Sequence, residues 1–134
     1  MDLKEVNHII IKKSDDKRAC WYVAHTYSGH EQRVAQQLKQ RIESMSLRDQ
    51  ILEILIPTQE RIEIRSGQKQ QVKEKIFPGY LLIKMILSEQ SWLTVRTTNG
   101  VTGFIGVGNK PTPLDEEEVE VIQKFVKMKA PKFR

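Results

Sequence analysis

Apolar positions along this chain switch between the period of a strand and that of a helix, and the switches mark out its elements. Cys20-Trp21-Tyr22-Val23-Ala24-His25-Thr26-Tyr27 is aromatic and β-branched and predicts a strand. Ser28-Gly29-His30-Glu31 follows with the Ser-x-x-Glu spacing of a capping box, in which Ser28 bonds the third helical amide and Glu31 reaches back to the cap. Val34, Leu38, Ile42 and Met45 then recur every three or four residues, predicting one apolar stripe on a helix to about Ser44, with Arg33, Gln37, Lys39 and Arg41 off it. Residues 51–56 predict an apolar strand that Pro57 bends or bulges. Ile62 and Ile64 alternate with Arg61, Glu63 and Arg65, and Ser66-Gly67 signals a tight turn. The return arm, residues 68–75, offers only Val72 to a core, so a ribbon projecting from the body is expected.

Pro78 and Gly79 interrupt the chain before residues 80–87, its most apolar strand and the expected centre of a sheet. Ser88 is placed to cap a short helix that turns Trp92, Leu93 and Val95 inward and stops near Asn99-Gly100. A glycine-broken strand over 101–107 and a loop over 108–113 lead to a last helix, with Val119, Ile122, Phe125 and Val126 on one face. Asp115, Glu116, Glu117 and Glu118 open that helix and lysines close it, which matches the helix dipole without any ligand. The order β-α-β-β-β-α-β-α contains the split βαβ skeleton. The expected class is α+β, a four-stranded antiparallel sheet with helices on one face, plus a protruding β-hairpin and an added last helix. Residues 1–19 read as a flexible leader, although 9–11 could add a short strand.

Composition narrows the class. The chain has 134 residues, 39% apolar and 29% charged, enough for one core, and its ordered apolar runs exclude global disorder. Its longest apolar run already contains Lys84 and falls far short of the roughly 20 residues of a membrane span. Cys20 is the single cysteine, and acidic residues precede the Ile9-Ile10-Ile11 run, unlike a secretory signal, so a cytoplasmic protein is expected. The net charge of +5 favours anionic partners without naming one.

No catalytic constellation emerges. His8, His25 and His30 lack the spacing of a helical zinc site; His25 reads as a packing residue and Cys20 as an inert thiol. Glycines 100, 103, 106 and 108 spell neither phosphate-binding fingerprint. Hence no enzyme, no cofactor and no metal are expected. What remains is surface. Phe77, Pro78 and Tyr80 cluster at the mouth of the central strand, either capping their own core or forming an apolar patch for a partner helix. His30 and Arg33 on the first helix approach Thr97-Thr98-Asn99 if both helices share a sheet face, a grouping that can contact phosphates or bases.

Five motifs in order carry a resemblance: Trp21-Tyr22-Val23-x-His25-Thr26-Tyr27-Ser28-Gly29, Phe77-Pro78-Gly79-Tyr80-Leu81-Leu82, Ser91-Trp92-x-x-Val95-Arg96, Gly100-Val101-Thr102-Gly103-Phe104-Ile105-Gly106 and Lys110-Pro111-x-Pro113-Leu114. Over residues 20–128 the chain resembles the N-terminal (NGN) domain of the NusG family. The resemblance implies a non-catalytic transcription elongation and antitermination factor bound to bacterial RNA polymerase, bridging the β′ clamp helices to the β gate loop and modulating pausing. Carried over by position, Phe77, Pro78, Tyr80 and Leu82 would meet the clamp helices, and Ser88, Gln90 and Ser91 the gate loop. His30, Arg33, Thr97, Thr98 and Asn99 would face non-template DNA near the upstream fork. Some pause-promoting members have asparagine and threonine where this chain has Thr97-Thr98. The resemblance implies that 20–128 is this domain and 129–134 the start of the family's linker, so Rho or a ribosomal protein is an expected partner only with a KOW domain. A monomer that does not touch membranes is expected. The alternative is a stand-alone RNA-binding module, whose sheet would need exposed mid-strand aromatics; Tyr22 and Tyr80 are its candidates.

Overall fold

In the computed structural model, which describes residues 8–75, 78–107 and 110–127, the aromatic run is strand β2 (Ala19–Thr26), preceded by a short strand β1 (His8–Ile10). Helix α1 (Glu31–Ser44), strand β3 (Ile51–Leu55) and a hairpin, β4 (Thr58–Arg65) and β5 (Gln68–Lys75), follow. The second half comprises β6 (Tyr80–Ile86), α2 (Glu89–Arg96), β7 (Val101–Phe104), the small ladder β8 (Gly106–Val107) with β9 (Lys110–Pro111), and α3 (Glu116–Lys127).

The main sheet is antiparallel in the order β1-β3-β6-β2-β7. Its last four strands are the expected split βαβ arrangement with β6 and β2 at its heart. The fifth strand comes from the segment assigned to the leader: His8, Ile9 and Ile10 pair with Leu55, Ile54 and Glu53, and Ile9 is buried. An apolar residue here finds an uncovered sheet edge, which is why residues 8–10 belong to the sheet. Residues 1–7 and 129–134 lie outside the described residues.

Alternation along the strands builds two cores. Tyr22, Ala24, Leu81, Ile83, Met85, Ile51 and Ile54 point to one face and meet Val34, Ala35, Leu38 and Ile42 of α1 and Val95 of α2. Trp21, Val23, Leu55 and Leu82 point to the other, where Leu114 and the α3 residues Val119 and Ile122 cover them. The helices therefore flank both faces, not one: the added α3 covers a face that would otherwise expose Trp21. The projecting ribbon forms a separate ladder, and positive φ at both Ser66 (51°) and Gly67 (75°) gives the tight turn that suits a two-residue hairpin.

Met45 departs from the expected stripe. It caps α1 and is exposed, and Leu47 takes the buried place after Ser46 turns the chain through a φ of 57°.

Candidate polymerase and nucleic-acid interface

The expected capping box at the start of α1 is absent. His30 occupies the cap position without a side-chain bond, and Glu31 is the first helical residue, too early to reach back to a cap. Its carboxylate goes elsewhere. Glu31 is fully buried, and its Oε2 accepts from the amide of Gly29 at 3.2 Å and from that of Gly79 at 2.6 Å. The amide of Thr26 in turn donates to the Gly79 carbonyl at 2.7 Å. The Pro78-Gly79 turn is thus held on one side by the end of β2 and on the other by α1. Gly79 sits at a φ of +79°, and a Cβ there would lie 3.1 Å from the Thr26 carbonyl oxygen, so only glycine fits without strain.

Next to this turn Pro78 is exposed, and Tyr80 is half-buried with its ring against His25, centroids 4.5 Å apart. Of the residues assigned to clamp-helix contact, Leu82 is a correction. It is 3% exposed within the Trp21, Val23 and Leu55 cluster, because β6 alternation turns it beneath α3. Phe77 lies outside the described residues.

The gate-loop group divides similarly. Gln90 is exposed and Ser88 half-buried, whereas Ser91 is fully buried. Ser88 and Ser91 form a reciprocal capping box: Ser88 Oγ accepts the Ser91 amide at 3.1 Å, and Ser91 Oγ accepts the Ser88 amide at 2.9 Å. Ser91 Oγ also donates to the Ile86 carbonyl at 2.8 Å, and Ser88 Oγ to Gln50 Oε1. Ser91 is committed to starting α2 and is not a surface residue.

Part of the third group lines an open groove of about 630 Å³ between α1 and the loop after α2. Thr97, Thr98 and Asn99 form one wall and Gln37, Gln40, Arg41 and Ser44 the other. His30 and Arg33, both exposed, sit one to two turns earlier on α1, and His30 meets the exposed Tyr27 ring at 5.8 Å. Thr98 is a second correction: only 2% exposed, it donates to the Thr94 carbonyl at 2.7 Å and braces the loop from inside. Gly100 lets this loop cross α1, since a Cβ there would meet Val34 Cγ2 at 2.6 Å.

Arg41 is the residue sequence reasoning missed. One guanidinium nitrogen, Nη1, donates to the Thr94 carbonyl at 2.9 Å, to Thr97 Oγ1 at 3.0 Å and to Thr98 Oγ1 at 3.3 Å. The signal was present, because 30, 33, 37, 40, 41 and 44 continue one helix face. Glu31 was legible in the same way: it stands in phase with Val34, Leu38 and Ile42, so a carboxylate there must be buried.

Tyr22, one of the two aromatics an RNA-binding sheet would need, is buried in the α1-side core. Burial, with a smaller contribution from the nearby Cys20, pushes its hydroxyl above the ordinary pKa. Among the described residues no group of three or more His, Cys, Asp or Glu is placed to hold a metal, and no helix is long and apolar enough to cross a membrane.

Comparison with known proteins bears on the whole arrangement. The family model described as transcription termination factor nusG matches residues 19–123. The transcription termination/antitermination protein NusG of Halalkalibacterium halodurans is 49% identical over 105 residues, covering 76% of this chain and 59% of that protein. Its Bacillus subtilis counterpart is 47% identical over 111 residues, covering 81% and 63%. A solved structure titled "Domain interaction in Thermotoga maritima NusG" superposes with a TM-score of 0.63 at 27% identity, covering 85% of this chain and 60% of that one. The chain thus spans about three-fifths of the length of the relatives it matches. With its motifs, its sheet order and these matches in agreement, the chain belongs to the NusG family of transcription termination and antitermination proteins, as the family's N-terminal domain.

Proposed function

We propose that this domain binds bacterial RNA polymerase at the β′ clamp helices, reaches the β gate loop and modulates pausing and processivity without doing chemistry. The observation that carries the reading is the Pro78-Gly79 turn. It is fixed from two sides, leaves Pro78 exposed, and presents Tyr80 beside His25 at the end of the central strand. A rigid apolar turn of this kind suits the tip of a helical hairpin, since little conformational freedom is lost on docking. Phe77, Pro78 and Tyr80 are the contact residues, with Leu82 behind them. Gln90 and the exposed edge of Ser88 face the gate loop.

His30, Arg33, Thr97 and Asn99 face non-template DNA near the upstream fork, and Gln37, Gln40 and Arg41 extend that face along the groove. Their contacts orient more than they hold, as polar contacts to a nucleic-acid backbone do. A domain that bridges both sides of the channel shifts the clamp toward its closed state by differential affinity alone. About 1.4 kcal/mol of such preference moves that equilibrium tenfold. Rho or a ribosomal protein enters only through a KOW domain of a longer protein.

The RNA-module alternative is disfavoured by three observations. Tyr22 is buried, α3 covers the other sheet face, and Tyr80 lies at a strand end against His25. The test is capture of RNA polymerase by the 134-residue chain, repeated with polymerase lacking the clamp-helix tip, followed by a pausing assay. Binding is expected only to the intact enzyme, with altered pause lifetimes. Equal capture of both polymerases would overturn the proposal, and a gel shift with structured RNA showing steep salt dependence would favour the alternative.

A further inference from the structure

Glu31 has no role in contacting DNA, because it is fully buried while His30 and Arg33 on either side are exposed. It has no role in capping α1 either, because it is the first helical residue. A buried carboxylate is costly unless it is hydrogen-bonded, and an apolar residue in phase with Val34 and Leu38 would fill this place without that cost. What the carboxylate provides is a specific link. Its Oε2 gathers the amides of Gly29 and Gly79, groups 50 positions apart along the chain, onto one atom.

We infer that Glu31 is the positioning residue of the polymerase-binding turn, fixing the Gly79 amide and thereby the aim of Pro78 and Tyr80. The inference rests on the clamp-helix reading above. The 2.6 Å bond to Gly79 is the shorter of the two, and removing the carboxylate takes its acceptor away. The Thr26–Gly79 bond still anchors the turn to β2, but its tie to α1 through Glu31 Oε2 is lost, and Pro78 swings about the remaining anchor. Because Glu31 belongs to the same helical turn as His30 and Arg33, the polymerase-binding turn and the start of the groove are fixed to one rigid element.

The test compares the wild-type chain with Glu31→Leu, which keeps volume and removes the acceptors, and with Glu31→Gln, which keeps one neutral acceptor. Affinity for a clamp-helix fragment, hydrogen exchange at the Gly79 amide, and exchange along the β2–β6 ladder are measured on each. Glu31→Leu is expected to lose at least about tenfold in affinity and to lose Gly79 protection, with the ladder still protected. Glu31→Gln is expected to lose about threefold, with Gly79 exchange accelerated. A general structural role would instead loosen the ladder in step with affinity, and that result overturns the inference. So does unchanged affinity in a folded Glu31→Leu. If Glu31→Leu does not fold, Glu31→Gln decides, and wild-type affinity there overturns the inference. Wild-type chain that fails to bind the fragment removes the clamp-helix reading itself, a result distinct from all of these.

Discussion

Gly79 concentrates the constraints on the Pro78-Gly79 turn, the proposed polymerase contact, into one residue, with a positive φ, a close carbonyl and a buried carboxylate on its amide. Gly79→Ala is expected to cost about 1–2 kcal/mol, read as a fall of several degrees in Tm. Gly67 is the control. It has a similar φ of +75° but nothing within 4 Å, so Gly67→Asn should leave Tm unchanged within about a degree. Arg41 is the corresponding residue of the groove. Arg41→Ala removes the donor shared by Thr94, Thr97 and Thr98. Both threonine hydroxyls keep their bonds to helix carbonyls, so the expected loss is only about 1 kcal/mol, alongside about fivefold weaker binding of single-stranded DNA. At Asp16 the hydrogen bonds from Arg18 lower the carboxyl pKa from 3.8 to about 2. A depressed acid stabilises the fold above its unfolded pKa and loses that contribution as pH falls toward 2. A carboxyl titration followed by NMR should therefore show a midpoint near 2 that returns toward 4 in Arg18→Ala.

Among the elements, those with a strong period were readable and those fixed by distant partners were not. Val34, Leu38 and Ile42 of α1, the apolar run of β6 and the turn at Ser66-Gly67 carry their structure locally, and each formed where the pattern put it. The start of α1 failed because Ser28-x-x-Glu31 has the capping spacing while Glu31 accepts from the amide of a turn 48 residues away. Strand β1 was ambiguous because three apolar residues cannot announce an edge strand until β3 is there to receive them. That edge gives a prediction: Ile9→Asp should detach β1 and cost about 2 kcal/mol. Exchange should then rise at position 9 and at the β3 amides it pairs with, but not along the β2–β6 ladder. At α2 the two serines form the whole cap, so Ser88→Ala should cost about 1 kcal/mol and fray the helix that carries Gln90.

At the scale of the whole molecule, three surfaces radiate from one sheet: an apolar turn at one end of β6, the cap of α2 at the other, and a polar groove over α1. Much of this was readable because the motifs that build the sheet also carry the candidate contacts. What stayed hidden was which of those residues are spent internally. Ser91, Thr98 and Leu82 have surface-like or motif-like spacing, yet a cap, a helix back-bond and a second core consume them. The second core arises because α3 covers the face opposite α1, a choice made by Trp21 and Leu82 together rather than by any local signal. On the proposed function, a small set of exposed groups provides the polymerase affinity. The most direct measurement is the dissociation constant of the full chain for the β′ clamp-helix fragment, wild type against Phe77→Ala with Tyr80→Ala. The account predicts at least about a hundredfold loss of affinity, with a cooperative melt only a few degrees lower. A folded double variant that binds as tightly as wild type would contradict it.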